Sequence, residues 1–84
     1  MKIHGNRMVY GFRNSAAFNV RAAGDEHWFL TATARNEALA SFREYAVRRG
    51  LSRSAALDGI VPIRRRAAHL TRDERAQLEL DGRA

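Results

Sequence analysis

The chain has 84 residues, a length that supplies the core of one domain and leaves no room for a second. Alanine makes up 15 of the apolar residues, so few large side chains remain to exclude water; with no cysteine, disulfides and cysteine-ligated zinc are excluded as supports, and oligomerisation is the remaining one. The net charge is +6 and 14 of the 15 basic residues are arginine, which favours a phosphate-bearing partner and argues against a protein that mimics DNA.

The positive charge falls in two blocks. Residues 1–24 carry +4 with no acid and residues 48–72 carry +6, whereas 25–47 and 73–84 each carry −2. The apolar runs are only a few residues long, so neither a membrane-spanning helix nor the apolar core of a signal peptide is expected, and the expected location is cytoplasmic.

In chain order, the first third alternates. Met8, Tyr10 and Phe12 share one parity, Phe18, Val20 and Ala22 form a second set, and Trp28, Leu30, Ala32 and Ala34 a third, which is the pattern of half-buried strands. Turn-forming residues at Arg13-Asn14-Ser15 and at Ala23 to His27 separate them, giving a three-stranded antiparallel meander. After Arg35 the period changes: Asn36 is placed to cap a helix over about 37–49, with Ala38, Leu39, Phe42, Tyr45 and Ala46 as its apolar stripe. Gly50 suits the left-handed residue past a helix end, and Ser52 opens a second helix that Gly59 and Pro62 cut short. Thr71 and Glu74 have the spacing of a capping box for a last short helix through Leu78 and Leu80. The expected fold is α+β, a single domain over 1–84: a strand extension (1–27), a strand-helix-helix unit (28–61) and a basic then acidic helical segment (62–84).

The run LTATARNEALASFREYAVRRGLSRSAALDGIV, with strand Leu30 to Arg35 and the turn Gly50-Leu51-Ser52-Arg53-Ser54, resembles the ribbon-helix-helix family of DNA-binding proteins. The resemblance implies a homodimer whose paired strands enter the major groove of double-stranded DNA, acting as a transcriptional repressor or autoregulator of a phage, plasmid or toxin-antitoxin locus. It places Phe29, Thr31 and Thr33 on the base-facing side, with Arg35 close enough to reach a base or phosphate. Phosphate contacts fall to Ser52, Arg53 and Ser54 at the second helix start, with Arg48, Arg49, Arg64, Arg65 and Arg66 beside them. Phe29 departs from the polar residues the family often presents there.

A rival reading keeps the meander, packs it on the helix bearing Leu39, Phe42 and Ala46, and gives a small phage or mobile-element inhibitor that binds a host protein complex or, as another possible protein partner, a cognate toxin. Its outer sheet face carries Arg13, Asn19, Arg21, Thr31 and Thr33. A helix-turn-helix over Arg43 to Ile60 is a third reading, weakened by Ala56 and Gly59 where larger apolar residues should pack. No catalytic residue, metal site or cofactor is expected: His4, His27 and His69 are scattered, and no carboxylate pair has the spacing for a metal-dependent nuclease.

Overall fold

A computed structural model describes residues 2–15 and 25–81. The elements run β1 (Met8–Asn14), β2 (Asp25–Phe29), α1 (Ala32–Arg48), α2 (Arg53–Gly59), β3 (Ile60–Arg66), a turn of 3₁₀ helix (Ala67–His69) and α3 (Arg72–Asp81). The fold is α+β, as composition and pattern lead one to expect. The strands form one antiparallel sheet in the order β2-β1-β3.

β1 is the central strand, and it is covered on both faces. On one side Phe12 and Ile60 join Leu39, Ala46 and Ala56 of α1 and α2, with Phe29, Phe42 and Leu51 packed around them. On the other, Val9 and Trp28 meet Ile3, Ala67, Leu70 and Leu78 of α3. Each large apolar side chain so buried contributes roughly 1.5–3 kcal/mol, and two small cores hold the sheet between them.

The helix ends are locally determined. Thr31 caps α1, its hydroxyl accepting from the Ala34 amide at 3.1 Å. The far end closes on Gly50 at φ 111°, where the Gly50 amide donates to Val47 and the Leu51 amide to Ala46, the paired bonds that end a helix on a left-handed residue. Ser52 caps α2 through the Ala55 amide, and Arg43 donates to the Leu57 and Ile60 carbonyls at its other end. The capping box of α3 is present: Glu74 N donates to Thr71 Oγ1 and Thr71 N to Glu74 Oε1.

Three expectations are corrected. Leu30 to Arg35 is not a strand, because β2 ends at Phe29 and Thr31 starts a helix five residues before Asn36; the alanines at 32 and 34 alternate in sequence but favour helix. Residues 60–66 are not helical but form β3, whose Ile60, Val61 and Ile63 are β-branched. The second helix stops at Gly59, so Pro62 lies inside β3 instead of ending α2. The strand expected over Phe18 to Ala22, with Asn19 and Arg21, lies outside the described residues.

Candidate nucleic-acid interface

The hydrogen-bond parity of β3 fixes which of its groups are available. Ser15 N donates to Gly59 O at one end of the β1–β3 ladder and Ala67 N to Arg7 O at the other. In the observed register the odd-numbered residues of β3 therefore turn their backbone groups to β1, and those of Ile60, Pro62, Arg64 and Arg66 point to the outer edge. Pro62 therefore forfeits no ladder bond, which is why a proline is tolerated in this strand.

The same parity sorts the side chains. Tyr10 lies opposite Arg64 and Met8 opposite Arg66, on the face that carries α1. Arg64 and Arg66 are exposed, about 7 Å apart along the strand. Neither has a carboxylate within ion-pair distance among the described residues; Arg66 donates one long bond to the Asn6 carbonyl. Arg7, whose guanidinium reaches the Leu30 carbonyl, stands at the same end of the sheet.

Arg35 completes this surface from α1. Its Nη1 donates to the carbonyls of Gly11 and Ile63 at 3.0 and 2.9 Å, and its Nε to Asn36 Oδ1 at 2.7 Å. The guanidinium is thereby held 5.7 Å from the centre of the Tyr10 ring. Between Arg35 and Arg64 a cavity of about 340 Å³ opens, lined also by Tyr10, Pro62 and Ile63.

Arg65 points to the opposite face and is engaged there. It lies 4.9 Å over the Trp28 ring and donates twice to Glu26, which also receives Arg13 at 2.6 Å. Hydrogen bonds from Arg13 first, then from Arg65, hold the Glu26 carboxyl below the usual carboxylate range against the opposing effect of burial. A cleft of about 370 Å³ on this side is lined by Glu26, Glu74 and Asp81 with Trp28 and Leu78, and its acidity suits no anion.

The residues expected to touch DNA are thus divided among the start of α1, the α1–α2 turn and β3, where Arg65 faces away from Arg64 and Arg66. Phe29 packs in the α1 core, Thr31 is a helix cap, and Thr33 and Arg35 lie in the first turn of α1, so these four form no base-facing ribbon. Ser52, Arg53, Ser54, Arg48 and Arg49 gather at the α1–α2 turn. There Ser52 is committed to the Ala55 amide, Arg53 to Glu44 at 3.4 Å, and Arg49 sits over Tyr45. Arg64 and Arg66 stand at the sheet edge. Tyr10 is read from sequence only as an apolar strand residue, since it takes the strand register to bring it beside Arg64.

Among the described residues no group of three or more His, Cys, Asp or Glu is placed to hold a metal, and no helix is long and apolar enough to cross a membrane. Comparison with family models, with curated proteins and with solved structures finds no match for this chain.

Proposed function

We propose that the protein is a non-enzymatic DNA-binding regulator that holds the phosphate backbone with the arginines at the edge of its sheet. One observation carries this reading. Arg64 and Arg66 stand exposed on one face of β3 without carboxylate partners among the described residues, while the sheet's own Glu26 is consumed by Arg13 and Arg65 on the other face. Unpaired arginines at this density suit phosphate, which they contact bidentately, and their binding is driven by counterion release. Arg35 extends the positive surface from α1. The ribbon that the ribbon-helix-helix resemblance implies would run through residues 31–35, which are instead the cap and first turn of α1, so the proposal rests on phosphate contacts rather than base recognition.

The test is fluorescence anisotropy of a labelled duplex of about 20 base pairs against rising salt. The expected result is binding in the micromolar range that weakens linearly on a double-logarithmic salt plot, with intact DNA recovered afterwards. Absence of binding at about 50 mM salt would overturn the reading.

Among the described residues no further strand pairs with β3, which supports a second reading, a small inhibitor that docks on a protein through its sheet and basic surface. The packing of Phe12 on Leu39, Phe42 and Ala46 supports that reading, although β1 pairs with β2 and β3 in place of the expected meander, and Trp28 and Leu30 pack in the other core. An acidic partner would fit the arginines. A partner protein binding with salt-insensitive affinity, and no DNA binding, would favour it over the first.

A further inference from the structure

The groove beside Tyr10 is more organised than the surrounding surface. Arg35 spends Nε and Nη1 on fixed oxygens, which immobilises the guanidinium and leaves its Nη2 without a partner among the described residues. Arg64, opposite Tyr10 in the strand register, donates no hydrogen bond, and the Tyr10 hydroxyl is likewise unengaged among the described residues. Three donors therefore border one cavity of about 340 Å³, and two of them carry full positive charge.

The geometry points to a discrete phosphate site that takes a phosphate monoester, the terminal phosphate of a nucleic-acid end; in that form it rests on the reading of the protein as a DNA binder. Charge selects the monoester: it carries about −1.5 to −2 at neutral pH, matching two guanidiniums, whereas an internal diester carries a single charge. Because Arg35 is held by backbone carbonyls before any ligand arrives, little ordering is required on binding.

The experiment compares one duplex with and without 5′-phosphates, and separately titrates inorganic phosphate into labelled protein while backbone amide resonances are followed. The phosphorylated duplex should bind about tenfold more tightly than its dephosphorylated twin, the scale of one charge-assisted contact. Arg64→Gln and Tyr10→Phe should remove most of that preference. Arg66→Gln, one step outside the groove, should weaken both duplexes equally. Inorganic phosphate should move the amides of Gly11, Ile63 and Arg64. Equal affinity for the two duplexes would overturn the terminal-phosphate site and leave DNA binding standing. Failure of both duplexes to bind would overturn DNA binding; phosphate-induced shifts at those amides would then still support the site for a free phosphate ligand, and their absence would overturn it as well. Circular dichroism of each variant confirms folding.

Discussion

The six-membered ring of Trp28 occupies the space that a side chain on Gly11 would need. A β-carbon built on Gly11 would collide first with the His27 carbonyl oxygen and would lie 2.8 Å from Trp28 Cε3, closer than such atoms approach in folded proteins. The two residues are paired across β1 and β2, and the absence of a side chain at Gly11 lets the indole sit over the central strand, where Arg65 from β3 covers it. One glycine thus joins all three strands on this face.

Gly11→Ala should destabilise the protein by about 1–3 kcal/mol, the usual cost of forcing atoms into a packed site. Urea denaturation followed by Trp28 fluorescence measures it. An unchanged midpoint would mean that neither the His27 carbonyl nor the Trp28 indole stands against β1 at Gly11.

Glu26 links stability to pH. Its carboxyl is held below the usual range, chiefly by the Arg13 hydrogen bond, so the folded state binds fewer protons than the unfolded state through the acidic window. Its stabilising effect is complete above the ordinary glutamate value of about 4.3 and is lost as pH falls through the lower folded value. Glu26→Gln should cost about 1 kcal/mol at neutral pH, with allowance for screening at the part-exposed Arg13, and the gap between variant and wild type should close on acidification. Urea midpoints at several pH values between neutral and about 3 check this. A gap that widens in acid contradicts the assignment.

Thr31→Ala and Ser52→Ala each remove a helix cap and should cost about 0.5–2 kcal/mol in thermal or urea unfolding. Neither should change DNA affinity by more than about twofold, less than the effect of losing one net hydrogen bond. A selective loss of binding with unchanged stability in Thr31→Ala would instead return that residue to a base-reading role.

Glu74 closes the capping box of α3 with one oxygen and accepts the Trp28 indole N–H at 3.0 Å with the other. Glu74→Ala leaves both partners unsatisfied and should cost about 1–3 kcal/mol, with a shift in Trp28 emission. A variant with native stability and native emission would show that α3 is not fastened to β2 in this way.

Parts of this fold are legible in the sequence because they depend on neighbours along the chain. The Thr71–Glu74 box, Gly50 and the alternation of Met8, Tyr10 and Phe12 are of this kind. Val9 breaks the alternation since β1 is covered on both sides, a tertiary fact. β3 is concealed by its arginines and Pro62, which read as a charged helical face and a helix stop until its pairing with β1 is known. Ala32 and Ala34 mimic a strand parity because alanine carries little information about which face is buried. The basic triplet at Arg64 to Arg66 is visible as a binding candidate from sequence, but the turn of Arg65 away from its neighbours, and the meeting of Tyr10, Arg35 and Arg64, require the register of β1 against β3.

The location of the DNA surface is tested most directly by the salt slope of two combined variants. Arg64→Ala with Arg66→Ala removes the sheet-edge pair, and Arg48→Ala with Arg49→Ala and Arg53→Ala empties the turn between α1 and α2. Duplex binding by the first should show a slope shallower by about two units, and the second should retain nearly the wild-type slope. A full slope in the sheet-edge variant with a collapsed slope in the turn variant would contradict the account.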